Sequence, residues 1–302
     1  MRKAFLQLHI AIFLAGFTGP LGRLITLNEG LLVWYRMGIT TVTLFGWLLI
    51  ARQFFRISFK EWLKITGVGA IVALHWVLFY GSIKYANISI ALVCFSAIGF
   101  FTAFVEPWIE RRRIDFLEVL FGSIAVLGIY LIFHFDPQYK VGIILGILSS
   151  LLAAIFPVLN KRLLKFHTPQ IVTTYEMAGG FLLLSLALPF YLKRFPPDHL
   201  LPGLQDWAWL LVLSWLCTVL AFNLSLTALK KISPFTVNLS YNLEPIYGIL
   251  LAFLIYQENK YLSSGFYLGF GLILLTVVLQ TYRLSKSRIR KTSDAMEFPF
   301  RT

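Results

Sequence analysis

The sequence predicts an all-α integral membrane protein with ten transmembrane helices. Of its 302 residues, 58% are hydrophobic and only 14% are charged, and the mean hydropathy is +0.76. A soluble domain carries about 25% charged residues, so this composition excludes an ordinary soluble enzyme. An aromatic content of 16% also excludes a disordered chain, because disordered chains are poor in such residues.

The ten predicted helices are predominantly apolar runs, most of them about 20 residues long, which is the length that crosses a bilayer. The gaps between them are short and hold charged or turn-forming residues, so little chain is left for a soluble domain. The second, seventh and ninth runs each contain a charged residue. The runs cover about 4–22, 30–51, 62–83, 86–108, 116–135, 140–160, 170–192, 206–229, 233–256 and 261–282.

The basic residues are distributed unevenly between the two sides of the predicted membrane protein. With alternate loops on opposite sides, 20 of the 27 Lys and Arg share the side of both termini, and 6 lie opposite. Because Lys and Arg accumulate in cytoplasmic loops, we expect both termini in the cytoplasm of a cell (inner) membrane protein. The net charge of +13 therefore requires no nucleic-acid partner. Residues 284–302 are predicted to form a basic cytoplasmic tail near anionic headgroups.

The two halves of the chain resemble each other at several points. Residues 34–38 in helix 2 resemble 174–179 in helix 7, and residues 82–89 resemble 226–233. Because the matches follow the same order, they predict two five-helix repeats, 1–135 and 139–283. Five is an odd number, so tandem copies enter the membrane from opposite sides. The result is an inverted repeat, which is typical of secondary transporters.

This organisation and several local motifs resemble the EamA family of the drug/metabolite transporter superfamily. The motifs are Arg36 in helix 2, His75-Trp76 with Tyr80 in helix 3, and the segment 243–248 in helix 9. The resemblance extends to about residue 282. It implies a central cavity lined mostly by helices 1, 3, 4, 6, 8 and 9. It also implies a secondary active transporter that exports or exchanges a small metabolite, such as an amino acid or related solute, by alternating access.

Polar side chains at membrane depth are the candidate substrate-binding residues, because each costs several kcal/mol there unless it is paired or hydrated. Glu244 lies about 16 Å into helix 9 at 1.5 Å per residue. It is either a cavity carboxylate that binds a cation or exchanges a proton, or a structural group tied to polar neighbours. Pro245 frees the carbonyl of Tyr241, which favours a position of helix 9 against the protein centre.

His75 lies at a similar depth in helix 3. It either couples protons or bonds substrate, since an unperturbed imidazole titrates near neutrality, or it is a packing residue. Aromatic neighbours offer cation–π surfaces, although Trp is also common at membrane interfaces. The complete predicted substrate-binding set is His75, Trp76, Tyr80, Ser96, Asn223, Asn238, Tyr241, Asn242 and Glu244.

Arg36 and Glu176 occupy matching positions in helices 2 and 7, about 9 Å from opposite membrane surfaces. This depth indicates structural ion pairs or snorkelling side chains, and the alternative is a gate ion pair on each side that breaks during alternating access. Asn160 lies in the cytoplasmic half of helix 6, where it is a candidate for an inner vestibule.

Motifs for cofactors, metals or soluble catalysis are not found in the sequence. Cys94 and Cys217 lie in apolar runs and indicate buried thiols. Without a Walker lysine loop or an HExxH motif, we expect no enzyme and no cofactor. The alternative class is a membrane-embedded enzyme or lipid-handling protein, for which Glu106, Glu110 and residues 111–113 are the candidate cluster. The expected partners are a small-molecule substrate and the lipid bilayer, with proton coupling as a hypothesis.

Overall fold

The structure, a computed structural model, describes residues 2–52, 57–135 and 137–297. It does not describe the side chains of 135, 239, 242, 277, 280, 281 and 284–297. The described residues contain helices and connecting turns. The first half holds α1 Arg2–Gly16, α2 Thr18–Leu24, α3 Glu29–Ile50, α4 Phe59–Tyr85, α5 Ile88–Phe95, α6 Ile98–Glu110 and α7 Phe116–Phe135.

The second half of the chain contains the remaining seven helices of the described residues. These are α8 Lys140–Leu163, α9 Pro169–Arg194, α10 Leu204–Ser214, α11 Ala221–Leu229, α12 Pro234–Ser240, α13 Glu244–Tyr256 and α14 Ser264–Glu297. Helix α14 continues well beyond the predicted end of the tenth run at 282, so the described part of the predicted basic tail extends this helix. Residues 298–302 lie outside the described chain.

Within the described residues, eight helical stretches are long and apolar enough to cross a membrane. Three of them combine two helices each, namely α1 with α2, α5 with α6, and α10 with α11. Two shorter apolar helices follow, Glu244–Tyr256 and Ser264–Thr276. These lengths and compositions agree with the prediction of an all-helical integral membrane protein.

Polar side chains fix the starts of several long helices. Asn28, Ser58, Asn87 and Thr168 each accept a hydrogen bond from the backbone N–H three residues further on. At Ser58 the contact is reciprocal, because the Glu61 side chain also accepts from the Ser58 backbone. Such caps pair the orphan N–H groups of a first helical turn.

Four interruptions separate consecutive helices, three of them within membrane-length stretches and the fourth between α12 and α13. One lies at Phe17 between α1 and α2, and another at Ser96 and Ala97 between α5 and α6. A π-helical segment, Trp215–Leu220, joins α10 to α11, and a 3₁₀ turn, Tyr241–Leu243, joins α12 to α13. The last interruption directly precedes Pro245, whose missing N–H cannot continue an α-helical ladder.

The helices pack in pairs that connect the two halves of the chain. α4 packs against α8 and α9, α10 against α3, α11 against α1, and α7 against α14. α5 packs against α13, and α6 packs against α12. At the α4–α9 contact, a Cβ on Gly69 would lie 2.2 Å from the Glu176 carbonyl oxygen, so the two backbones touch there. Small residues allow such close packing in membrane proteins.

Candidate functional site

An internal cavity lies where the interrupted helices meet. Its empty volume is about 810 Å³, a figure that includes the part that is open to solvent. The wall is mainly apolar and is supplied by α1 to α6, α8, α11, α12, α13 and the π-helical segment. Its aromatic part consists of Trp76, Phe79, Phe95, Phe156, Phe222 and Tyr241.

The cavity wall carries one group of each charge. Arg36 is 2% exposed and Glu244 is 5% exposed, and both line the cavity. The two groups interact electrostatically, and the Thr18 hydroxyl also contacts the carboxylate. Among the described residues, no ion pair within 4.0 Å joins Arg36 to a carboxylate. The opposite charges therefore share one space without neutralising each other directly.

Arg36 is held in place by groups on two other helices. Its Nη1 donates to the Tyr80 hydroxyl at 2.8 Å, and its Nε donates to Thr218 Oγ1 at 2.8 Å. Its Nη2 donates to the Cys217 carbonyl oxygen at 3.3 Å, and its guanidinium lies 3.8 Å from the ring centre of Trp76. Cys217 and Thr218 belong to the π-helical segment, a geometry that is frequent at functional sites.

His75 reaches the cavity from α4 and is oriented by α8. Its Nδ1 lies 2.9 Å from the Ser149 carbonyl oxygen and 2.8 Å from Ser149 Oγ, while that hydroxyl donates to the His75 carbonyl. Because a carbonyl oxygen only accepts, we assign the proton to Nδ1. A neutral His75 then keeps Nε2 as an acceptor for a ligand. Phe79, Phe95 and Phe156 surround the ring.

The interrupted ninth run supplies the remaining polar wall. Asn238 on α12 donates through Nδ2 to Thr102 Oγ1 at 2.9 Å. The hydroxyl of Tyr241, in the 3₁₀ turn, bonds to Ser225 of α11. Glu244 then begins α13. This segment therefore places three polar groups, spaced three residues apart along the chain, against the cavity.

The structure brings together His75, Trp76, Asn238, Tyr241 and Glu244 of the predicted substrate-binding set. Three other predicted members lie elsewhere. Tyr80 is fully buried and supports Arg36, Ser96 Oγ bonds back to the Leu92 carbonyl at 3.4 Å, and Asn223 is not on the wall. The side chain of Asn242 lies outside the described residues.

Arg36 and Glu176 do not form the predicted ion pairs in the described part of the chain. Arg36 lines the cavity, and Glu176 bonds to Asn160 on α8 at 3.4 Å. The sequence gives only the distance of each side chain along its own helix. It does not show which neighbouring helices surround that side chain. Sequence reasoning also missed Thr218 and Ser149. The adjacent serines of helix 6, Ser149 and Ser150, are the signal that was available.

A second group of polar residues lies at the same end of the bundle as the turn between α13 and α14. This Glu258 cluster consists of Glu258, Arg23, Ser89 and Tyr256. The Glu258 carboxylate pairs with Arg23 and accepts from Ser89 N at 2.9 Å and Ser89 Oγ at 2.6 Å. It also accepts from Ile88 N at 3.1 Å, and Arg23 stacks 4.5 Å from the Tyr256 ring centre. One buried carboxylate thus ties α2, α5 and the turn after α13 together.

We expect Glu258→Ala to lower the free energy of unfolding by about 2 kcal/mol, because it leaves Ile88 N–H and Ser89 N–H without their acceptor. The thermal midpoint of the purified protein in detergent measures this loss. Lys260→Ala is the matched control, since the exposed Lys260 ammonium contacts Gln257 within the same turn. Equal midpoints for the two variants would contradict the assigned role of Glu258.

A bundle of apolar, membrane-length helices around a cavity with both charges defines the class of integral membrane transporters, in which interrupted helices build the binding site. The sequence model of one family matches residues 2–134 and 140–282. The chain belongs to this family, the EamA-like transporter family. The match confirms the family that the sequence motifs indicate.

Individual relatives agree with this membership. An uncharacterized transporter of Archaeoglobus fulgidus is 24% identical over 233 residues, which cover 76% of this chain and 80% of the relative. One from Haemophilus influenzae is 25% identical over 53% of this chain and 56% of its own length. A protein of known crystal structure superposes with a TM-score of 0.69 at 16% identity, over 95% of this chain and 99% of that chain, and therefore shares the fold.

Proposed function

We propose that the protein is a secondary active transporter that exports or exchanges a small zwitterionic metabolite, such as an amino acid or related solute, by alternating access. The observation that carries this proposal is the position of Arg36 and Glu244 in one buried cavity. A zwitterion offers a carboxylate for the guanidinium and an ammonium for the carboxylate. A bound zwitterion therefore gives Arg36 and Glu244 each an oppositely charged partner, which buried charges require.

The rest of the wall suits the other part of such a solute. The aromatic rings of Trp76, Phe95 and Phe222 offer apolar contact to a side chain. His75 Nε2 and the Asn238 amide offer hydrogen bonds. Because the polar groups are few and the wall is otherwise apolar, the cavity resembles a site that fixes orientation with a few polar contacts.

For the topology we propose ten spans in two inverted five-helix repeats. In this arrangement α12 and α13 form one interrupted ninth span, and α14 forms the tenth. The packing supports it, because exchanging the two halves maps the α4–α8 contact onto the contact of α11 with α1, and the α4–α9 contact onto that of α10 with α3. The contacts of α3 with α9 and of α7 with α14 map onto themselves.

The fourth and ninth spans give further support. α5 packs against α13 and α6 against α12, so the first part of each span contacts the second part of the other and the two run antiparallel. Both spans also end in a non-glycine residue with φ of 54°, Arg111 after α6 and Gln257 after α13. Corresponding segments that run in opposite directions are what an inverted repeat requires.

Alternating access needs two closures of comparable design, one at each end. At the end opposite the Glu258 cluster, Arg162 of α8 pairs with Glu110 of α6 at 3.1 Å, and Lys161 donates to the carbonyl of Ile232 at 3.2 Å. Here the ion-pair side chains are 50% and 30% exposed, whereas those of Arg23 and Glu258 are 43% and 4% exposed. Exposed pairs are worth at most about 1 kcal/mol. With cytoplasmic termini, the proposal places the Glu258 cluster, whose carboxylate also accepts from Ile88 and Ser89, at the outer closure.

The alternative of a membrane-embedded enzyme finds less support. Its candidate cluster contains Glu106, Glu110 and residues 111–113. Arg112 contacts Glu118 at 2.8 Å and Glu106 at 3.6 Å, and Glu110 pairs with Arg162. Glu106, Glu110 and Arg112 are therefore paired near helix ends, and no member of the cluster lines the cavity. Their arrangement is that of structural ion pairs.

The proposed function is tested by ligand binding and counterflow with Glu244→Gln. We expect zwitterionic amino acids with apolar side chains to raise the thermal midpoint of the wild type. A ligand that binds only the folded state stabilises it by about 2.7 kcal/mol at a concentration of 100 Kd. We expect the same solutes to support counterflow in proteoliposomes. Glu244→Gln removes the partner of the ammonium group, so we expect the affinity to fall at least about tenfold. At the same ligand concentration the stabilisation would then be about 1.4 kcal/mol or less, and counterflow should fall as well.

Glu61→Gln is the matched control, because Gln also serves the capping box at Ser58 and Glu61 lies outside the cavity. Stabilisation by simple amines or simple carboxylates equal to that by zwitterions would contradict the proposed substrate class. An absence of counterflow with every stabilising solute would contradict transport itself.

A further inference from the structure

Glu176 is a fully buried carboxylate that the cavity does not use. Its exposure is 0%, and its Oε2 accepts a hydrogen bond from Asn160 Nδ2 at 3.4 Å. Its Oε1 and the Asn160 Oδ1 are also buried, and neither has a hydrogen-bond partner in the described part of the chain. The pair therefore presents two acceptor oxygens and lacks one donor.

No neighbouring charge compensates for this carboxylate. Among the described residues, no ion pair within 4.0 Å includes Glu176, and Asn160 donates a hydrogen bond to it. Helices α3, α4, α8 and α11 pack around it, and α11 contains no charged residue. Lys60 and Lys64 of α4 are exposed. Lys165, after α8, is also exposed. Other charged or titratable groups near these helices bond elsewhere: Arg36 to Tyr80, His75 to Ser149, Glu61 to Ser58 and His167, Lys161 to Ile232 and Arg162 to Glu110.

A proton on Oε1 supplies the missing donor. The neutral acid and the Asn160 amide can then form a reciprocal pair, in which Nδ2 donates to Oε2 and the acid hydroxyl donates to Oδ1. An ionised carboxylate at membrane depth would leave Glu176 Oε1 and Asn160 Oδ1 unpaired, and a buried charge without a full set of partners is strongly disfavoured. The arrangement is complete only with a proton bound.

A metal cation fits the same place poorly. α4, α8 and α9 continue through this region without unwinding, and the carbonyl that Pro157 frees in α8, that of Ala153, lies about two turns before Asn160. Cation sites in transporters of this kind use carbonyls that unwound helices release. Thr66 Oγ1, which would lie 2.7 Å from a Cβ on Gly179, is the further unpartnered oxygen at this helix contact. The oxygen ligands are too few for a metal ion.

Helix α8 connects this pair to the cavity. Phe156 and Pro157 line the cavity, and Asn160 follows one turn further on. A shift of α8 during alternating access therefore changes the cavity wall and the Asn160–Glu176 contact together. We propose that Glu176 is a proton-binding site, with Asn160 as its partner, through which a pH gradient drives transport. The coupling part rests on the proposed function, and the proton site does not.

Infrared difference spectra between the wild type and each variant, recorded on the full chain in lipid, test the proton site directly. We expect the wild type at neutral pH to show the carbonyl stretching band of a protonated carboxylic acid, and we expect Glu176→Gln to lose one component of it. Asn160→Ala should shift that component without removing it, because the acid loses its hydrogen-bond partner. Glu61→Gln, on an exposed carboxylate at the same end, should leave the band unchanged.

The proposal is overturned if Glu176→Gln retains the complete wild-type band, or if exchanging potassium for sodium removes the component, which would indicate a metal cation. In proteoliposomes, wild-type uptake should increase with an imposed pH gradient, and Glu176→Gln uptake should not respond to it. A retained response would overturn the coupling role. If the wild type moves no solute at all, the proposed function and the coupling role fail together, while the infrared band still decides the proton site.

Discussion

Arg36→Ala is expected to abolish transport and to lower the free energy of unfolding by roughly 3 kcal/mol. The guanidinium bonds to Tyr80, Thr218 and the Cys217 carbonyl, and hydrogen bonds to charged groups contribute about 1.5–3 kcal/mol each. Truncation leaves these groups unpaired, and it leaves Glu244 as the sole charge of the cavity. Counterflow and the thermal midpoint in detergent measure the two effects.

Arg36→Lys separates charge from geometry. A single ammonium keeps the charge but cannot reproduce the planar fork that reaches three acceptors, so we expect partial stability and strongly reduced counterflow. Arg194→Ala is the matched control, because Arg194 is exposed and stacks on Phe195 at the end of α9. Wild-type counterflow in Arg36→Ala would rule out the assignment of Arg36 to the substrate site.

The second large effect is expected from Gly69→Ala, which should destabilise the protein by about 3 kcal/mol through overpacking. The added Cβ would lie 2.2 Å from the Glu176 carbonyl oxygen and 2.9 Å from the Gly180 nitrogen. Both contacts are with backbone atoms, so no side-chain rotation relieves them and α4 must move away from α9. The thermal midpoint and the yield of monodisperse protein are the measurements.

Gly67→Ala on the same helix is the control. A Cβ there meets nothing within 4 Å, and replacing Gly by Ala within a helix stabilises by about 0.5–1 kcal/mol. The two substitutions are chemically identical and lie two residues apart, yet we expect opposite signs. Equal destabilisation by both would show that the close α4–α9 contact is not what Gly69 provides.

Composition and local sequence predict much of the fold because their signals are local. Apolar runs give the membrane-length helices, and the Ser58–Glu61 spacing matches the capping box found at the start of α4. The position of Pro245 predicts an interruption of the ninth run, which the structure places directly before it. In each case the deciding interactions lie within a few residues along the chain.

The parts of the site that sequence did not predict depend on contacts between distant segments. The π-helical segment Trp215–Leu220 contains neither Pro nor Gly, so nothing local marks it, and the Arg36 bonds to Cys217 and Thr218 appear only when α3 packs there. Tyr80 was expected on the wall, but it lies behind Arg36 because of how α3 and α4 pack.

The turn between α12 and α13 has a mechanical consequence for the proposed transport cycle. At 1.5 Å per residue, α12 is about 10 Å long and α13 is about 20 Å long. The 3₁₀ turn between them carries Tyr241, which lines the cavity. Because the turn interrupts the α-helical hydrogen bonds, we expect α12 and α13 to tilt independently of each other. In the proposed cycle, one end of the pathway then opens by movement of one of these two helices, while the other helix keeps the opposite end closed.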